Sequence, residues 1–189
     1  MNRTARRTPL PAIEEYLELE AISNYRHEYI NGHIFALDDS TVRHNEIVLN
    51  VATGFREAAR RRQYKVHLIE IMLRVSESQC YYPDVLVGRN PATLRDQAFT
   101  NPCVIVEVLS PSTSQIDRRE KLFAYTTIET LRAYYIVHQD RMTVENHERD
   151  DDGNWWHGVL HDKGALHVPC LNIDLPLADI YEGVTFDET

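Results

Sequence analysis

Glu107 lies inside Val104-Ile105-Val106-Glu107-Val108-Leu109, and Asp84 lies inside Tyr82-Pro83-Asp84-Val85-Leu86-Val87. A charged group in such a strand faces a desolvation cost of roughly several kcal/mol unless something compensates it. Taken singly, each acid is equally read as half of a buried ion pair, or as a strand end closer to water than it looks. Two of them on consecutive apolar strands form a stronger pattern. If the strands are neighbours, the carboxylates converge near one edge of the sheet. Hard divalent cations such as Mg²⁺ take carboxylate, carbonyl and water oxygens, commonly with only one or two protein carboxylates. Asp84 and Glu107 are therefore candidate metal ligands, and the backbone carbonyl of Val108 is a further one.

Lys121 adds a third element. Ser110 lies three residues beyond Glu107, about 10 Å along a strand. A helix that begins near Ser114 and folds back over the sheet reaches Lys121 after seven residues, also about 10 Å. The chain then goes out and returns by the same distance. The competing reading is an exposed Asp117–Lys121 pair, four residues apart on a helix surface. Metal, carboxylates and ammonium together suit phosphodiester hydrolysis. The cation would polarise a phosphoryl oxygen and acidify water, while the ammonium orients that water or stabilises the pentavalent transition state.

Several elements must position these groups. A short helix is predicted from about Pro11 to Glu20, with Ile13 and Leu17 on one face. YRHEYINGHIFAL reads as a hairpin turning at Asn31-Gly32. Ile47, Val51 and Phe55 give a helix from about Arg43 to Arg62, which Gly54 weakens without ending. Three strand-like segments follow: YKVHLIEIMLRV, YYPDVLVG and CVIVEVLS. In the third, Glu107 shares a face with Ile105 and Leu109, and the three valines point the other way. A second helix takes Ile116, Leu122, Phe123 and Ile128 as its apolar face, and RAYYIVHQ is another strand. Antiparallel strands then turn at Asp152-Gly153 and Lys163-Gly164. The order predicts a single α/β domain over 1–189, three-layered, with a mixed central sheet flanked by helices. An N-terminal hairpin and a C-terminal antiparallel β extension complete it, and residues 1–9 form a flexible tail.

Composition narrows the classes. The 189 residues suffice for one domain, 43% hydrophobic and 26% charged. No apolar run approaches the ~18 residues of a membrane span, and the basic N-terminus lacks the apolar stretch of a secretory signal. Cys80, Cys103 and Cys170 are odd in number and widely spaced, which argues against a disulfide framework or a zinc knuckle and leaves a reducing cytoplasm as the default. The net charge of −9 resides mainly in residues 141–189, which hold 3 Lys/Arg and 11 Asp/Glu; residues 1–140 hold 17 and 18. Arg56, Arg60, Arg61, Arg62 and Lys65 form a basic run, whose plain reading is a solvated helix end. GxSxG, P-loop, GxGxxG and HExxH motifs are missing. His138, His147, His157, His161 and His167 show no ligand spacing and are expected to be structural or surface residues. Trp155 and Trp156 are expected to pack the C-terminal sheet.

Tyr82-Pro83-Asp84, Val106-Glu107-Val108-Leu109-Ser110-Pro111-Ser112-Thr113, Asp117-Arg118-Arg119-Glu120-Lys121 and Tyr125 resemble the Uma-type restriction endonuclease family, of the PD-(D/E)XK nuclease-like superfamily. So do the upstream 27–34 segment, HEYINGHI, and Arg43-His44-Asn45. The resemblance spans about residue 10 to Phe186. It implies a restriction-endonuclease-like core with Asp84 and Glu107 as metal ligands and Glu28 as a further acid of the site. From sequence alone Glu28 is equally a polar strand residue facing solvent. His44 would line the same cleft, or be a helix-start residue bonded to backbone. The superfamily pattern places lysine two positions after the second acid, where Leu109 stands here, so that role passes to Lys121.

Two readings follow. One is a Mg²⁺- or Mn²⁺-dependent endonuclease acting on DNA. The other is a weak or inactive nuclease-fold protein that binds DNA or serves in assembly. Apolar strand edges and aromatics, with the frequency of twofold pairing, point to a homodimer.

Overall fold

The computed structural model describes residues 11–37, 40–89, 98–109 and 117–186. The expected tail over 1–9, the 110–114 turn and Ile116 lie outside the described residues, as do the side chains of Asp117 and Arg118.

α1 (Ile13–Ile22) buries Ile13 and Tyr16. β1 (His27–Ile30) and β2 (His33–Ala36) form the hairpin at Asn31-Gly32, where φ is +50° and +84°, the left-handed pair a tight turn needs. α2 (Val42–Arg61) is capped by Thr41, whose side chain accepts from the His44 backbone N. Ile47, Val51 and Phe55 lie on its buried side. Gly54 has a packing reason: a Cβ there would stand 2.5 Å from Leu175 Cδ1.

The 64–75 segment, predicted as one strand, is two. β3 (Lys65–Leu68) and β4 (Met72–Ser76) belong to different sheets, and Glu70 at φ +88° breaks the run between them. The 81–88 segment is divided too. Tyr81 ends β5 (Gln79–Tyr81), and Val85 begins β6 (Val85–Gly88). Pro83, without an N–H, stands in the gap. β7 (Ala98–Phe99) and β8 (Pro102–Leu109) follow. A π-helical turn, Asp117–Lys121, leads into α3 (Leu122–Thr126). β9 (Ala133–His138), β10 (Thr143–Arg149), β11 (Trp155–His161), β12 (Ala165–Val168), β13 (Ile173–Pro176) and α4 (Leu177–Ile180) complete the chain.

Six strands form one sheet in the order β11-β10-β9-β8-β6-β3, with β8 and β9 parallel and the other neighbours antiparallel. Five form a second, β2-β1-β5-β4-β7. The alternation along β8 separates two cores as predicted. Val104, Val106 and Val108 pack with α2, α4 and the β12-β13 pair. Ile105 and Leu109 pack with Ile30, Leu73 and Tyr81 of the second sheet and with Tyr125 of α3. A third core joins α1 to Tyr29, Met72 and Cys80. The hairpin expected as an appendage is thus part of a second sheet between α1 and the six-stranded sheet, adding a layer to the three predicted. The fold remains mixed sheet flanked by helices.

Three smaller expectations change. Phe123 is 75% exposed; the π-helical turn, wider than 3.6 residues per turn, rotates the helix so that Ala124 and Tyr125 are buried instead. Trp155 packs against the second core, but Trp156 is 66% exposed, its Nε1 donating to Asp150 Oδ2 at 2.8 Å. Cys103 and Cys170, expected as unpaired thiols, form a disulfide with Cα atoms 6.5 Å apart. Sixty-seven residues separate them, yet both pack on the α2 side of the six-stranded sheet. Among the described residues no helix is long and apolar enough to cross a membrane.

Candidate metal centre

β6 and β8 are direct neighbours, with Val85 opposite Val106 and Leu86 opposite Ile105. One step further along this register sets Asp84 across from Glu107. Their environments differ. Asp84 stands at the bend before β6, where its carbonyl accepts from Ile69 N at 3.3 Å. Its Oδ2 accepts from Val108 N at 2.7 Å.

That last bond exposes a property of Val108. The N–H and C=O of a strand residue point to the same side, and both groups of Val108 face β6, because its N–H reaches Asp84. The carbonyls of Cys103 and Leu109 point the other way, accepting from Arg132 N at 2.9 Å and Gln139 Nε2 at 2.6 Å. In register, Val108 would pair with Pro83, which has no N–H to give. The Asp84 carboxylate takes the Val108 N–H, and the β6 ladder supplies no donor to the Val108 carbonyl.

Glu107 sits on the opposite face from the valines. Its Oε1 accepts from Lys121 Nζ at 3.0 Å and from the Tyr125 hydroxyl at 2.8 Å. Lys121 Nζ is also 3.0 Å from Glu28 Oε1, and that oxygen accepts from Tyr82 N at 3.3 Å. Lys121 closes the π-helical turn and Tyr125 lies four residues on, so both side chains leave one side of the helix. Lys121 is 5% exposed and Glu28 6%. Burial sets aside both the solvent-facing reading of Glu28 and the surface-pair reading of Lys121. Burial and the Glu107 charge push the Tyr125 hydroxyl well above its ordinary pKa, so it acts as a donor.

His44 enters from the start of α2. Its backbone N donates to Thr41 Oγ1 at 3.0 Å, as the helix-start reading has it, while its Nε2 lies 3.1 Å from Asp84 Oδ2, on the cleft side. Its Nδ1 is buried and has no hydrogen-bond partner among the described residues. The buried cluster has two parts: Lys121 with Glu28 and Glu107, and His44 with Asp84, related by the β6-β8 register that sets Asp84 across from Glu107. The Glu28, Asp84 and Glu107 oxygens do not all lie within 4.8 Å of one another. The donors are hard oxygens at the end of a strand ladder, an arrangement that fits a divalent cation.

Four neighbours, Tyr125, Tyr81, Glu120 and Gln79, carried no role in the sequence reading. Tyr125 stood in the family motif, and its four-residue spacing from Lys121 was the available signal. The Tyr81 hydroxyl donates to Glu120 Oε2 at 2.8 Å, and Gln79 Nε2 donates to Oε1 at 3.2 Å. Burial and Glu120 raise the Tyr81 pKa. These partners lie on another sheet, which no local spacing reveals.

The basic run is elsewhere. Arg60 is sixteen residues along α2 from His44, about 24 Å. Arg60 Nη2 and Arg61 Nε each lie 3.0 Å from Glu57 Oε1, and these bonds hold the Glu57 carboxyl down at about 2. This is the solvated helix end. The late histidines make structural contacts: His138 pairs with Glu145, and His147 faces His157 across a strand pair.

The chain is similar to known proteins along most of its length. The chain is 29% identical over 182 residues to the uncharacterized protein slr1290 of Synechocystis sp., covering 94% of this chain and 96% of that one. A second Synechocystis protein, sll1609, also uncharacterized, is 31% identical over 78% of this chain and 86% of its own. Among solved structures, a crystal structure titled as "a putative nuclease belonging to DUF820" from Anabaena variabilis superposes with a TM-score of 0.77 at 18% identity, covering 93% and 99% of the two chains. That likeness shows a restriction-endonuclease-like fold. The family model "Uma2: Putative restriction endonuclease" matches residues 13–178, a span that includes every residue of the buried cluster, and the chain belongs to that family.

Proposed function

We propose that the chain is a divalent-metal-dependent endonuclease that hydrolyses DNA phosphodiester bonds. Asp84, Glu107 and the Val108 carbonyl would hold Mg²⁺ or Mn²⁺. The observation that carries this reading is the placement of two buried carboxylates, Asp84 and Glu107, one register step beyond the Val85–Val106 pair of neighbouring strands. When bound, such an ion supplies Lewis acidity toward a phosphoryl oxygen and toward water.

The chain's own groups do the rest. Val108 N–H and His44 fix Asp84 through Oδ2. Lys121 and Tyr125 both address Glu107 through Oε1, which sets the plane of that carboxylate. Glu28 holds the Lys121 ammonium beside Glu107, where it can donate to an attacking water or to the charge that builds on the phosphoryl oxygens. Tyr125 and His44 are positioning residues in this scheme, and Lys121 is the group that meets the reacting atoms.

The working unit we propose is a homodimer, since two copies bring one site to each strand of a duplex. Exposed Leu19, Ile22, Tyr25, Ile34 and Phe35 around α1 and the edge strand β2 support a pairing surface. The Cys103–Cys170 disulfide removes the argument from unpaired cysteines for a reducing cytoplasm.

A second reading, a nuclease-fold protein that binds DNA or assembles without efficient cutting, draws on the ion pairs that hold Lys121 and on Leu109 at the usual lysine position. A plasmid-nicking assay separates them. Cleavage that requires Mg²⁺ or Mn²⁺, stops with chelator and disappears in Asp84→Ala supports the first. Cleavage that persists in Asp84→Ala removes the proposed site.

A further inference from the structure

The β10-β11 pairing sets Glu145 opposite Val159 and His147 opposite His157. Directly opposed residues share a face of a sheet, and so do residues two apart on one strand. Glu145, His147 and His157 therefore project together. The two imidazole centroids are 4.7 Å apart, and one potential ligand atom from each of the three residues lies within 4.8 Å of the others. Among the described residues neither imidazole makes a hydrogen bond. Two unbonded imidazoles beside a carboxylate lack an explanation in the packing alone.

The surroundings prepare the group. Glu145 Oε1 lies 2.8 Å from His138 Nε2, and His138 Nδ1 is 3.7 Å from Asp140 Oδ1. A carboxylate oriented by a second residue is what outer-shell support of a metal ligand looks like. His147 stacks on Tyr134 at 5.9 Å, which fixes one wall. His157 is exposed, so the group opens to solvent along β11. Burial and the facing His157 push the His147 imidazole down to about 4, leaving it neutral at ordinary pH, the form that binds metals.

We propose that Glu145, His147 and His157 form a zinc site on the C-terminal hairpin, with a fourth position for water or an external ligand. Two nitrogens and one carboxylate oxygen suit Zn²⁺, whereas Mg²⁺ prefers oxygen donors throughout. Bonds of about 2.0–2.1 Å at tetrahedral angles place ligand atoms about 3.3 Å apart. The ligand atoms lie within 4.8 Å of one another, so the side chains have to close by at most about 1.5 Å, and His157 is exposed, with room to turn. The site is chemically distinct from the acid cluster and stands independently of the proposed cleavage activity.

The test is a Zn²⁺ titration of the full chain against a chromophoric chelator, in excess Mg²⁺ to occupy the oxygen site. The expected result is one zinc per chain at micromolar affinity or tighter. Binding should persist in Asp84→Asn and weaken at least about 10- to 100-fold in His157→Ala and in Glu145→Gln. His157 is exposed, so its variant keeps the fold; His147→Gln is a second check. Unchanged zinc affinity in His157→Ala, loss of zinc in Asp84→Asn alone, or no binding in the parent protein would each overturn the assignment.

Discussion

Lys121 Nζ stands 3.0 Å from Glu107 Oε1 and 3.0 Å from Glu28 Oε1, so one ammonium bridges a carboxylate from each of the two sheets. Fourteen positions separate Lys121 from Glu107 in the chain, and the π-helical turn ends where the lysine must reach inward. Replacing one member of a buried pair leaves the other charge unpaired, at a cost of about 3–5 kcal/mol. Lys121→Met is therefore expected to lower stability in urea by about that amount. Adding Glu28→Gln should return part of it. If Lys121 also meets the reacting phosphate, cleavage falls about 100- to 1,000-fold, and Glu28→Gln does not restore it. Recovery of cleavage together with stability would reduce Lys121 to a structural group.

The Asp84 carboxylate serves the fold through Oδ2, which accepts from Val108 N and lies 3.1 Å from His44 Nε2. Asp84→Asn keeps an oxygen there, so its stability should stay within about 1 kcal/mol of the parent. The carboxylate charge is gone, and titration calorimetry with Mn²⁺ should show the binding heat lost along with plasmid nicking. Full Mn²⁺ binding by this variant would move the ion away from Asp84.

Tyr125 touches Glu107 with its hydroxyl and Tyr134 with its ring, the latter centroids 5.1 Å apart. Tyr125→Phe retains the ring contact and removes a donor to a charged acceptor, a loss of about 1.5–3 kcal/mol in stability. Because the residue positions Glu107 rather than substrate, kcat should drop about tenfold, equivalent to about 1.4 kcal/mol, with KM for DNA unchanged. A change confined to KM would place Tyr125 in substrate binding.

Cys103 and Cys170 close a loop of 67 residues, and Cys80 is buried and unpaired. Denatured, unreduced protein should titrate one thiol per chain, and three after reduction. On a chain-entropy basis the crosslink contributes about 4 kcal/mol, so reduction should lower the urea midpoint markedly. Three thiols before reduction would show that the bond does not form.

The legible parts of this fold were those written in local pattern. Alternation along Val104–Leu109 assigned the valines and Glu107 to opposite faces. Lys121 stands 3.0 Å from Glu107 Oε1, but the helix start near Ser114 on which the out-and-back length argument relied lies outside the described residues, and the turn that follows is π-helical. Parts that depend on distant pairing were hidden. The 64–75 run looked continuous because both of its halves are apolar; only Glu70 at φ +88° sends them to separate sheets. The Tyr81–Glu120 bond, the Cys103–Cys170 pair and the facing His147 and His157 follow from register and layer contact, which no spacing in the sequence displays. Val108 stood between these cases: its neighbour Glu107 drew attention to it, but the role of Pro83 opposite required the observed strand pairing.

Glu28 and Glu107 grow from separate sheets, which makes their shared lysine a gauge of how those sheets have docked. A slip of β1 by one residue would turn Glu28 to the other side of its sheet and leave the ammonium with a single partner. Neither sheet alone contains the arrangement. The shared lysine contact therefore exists only where both layers hold one alignment, and a chain with its sheets undocked would carry all the chemical groups without bringing them together.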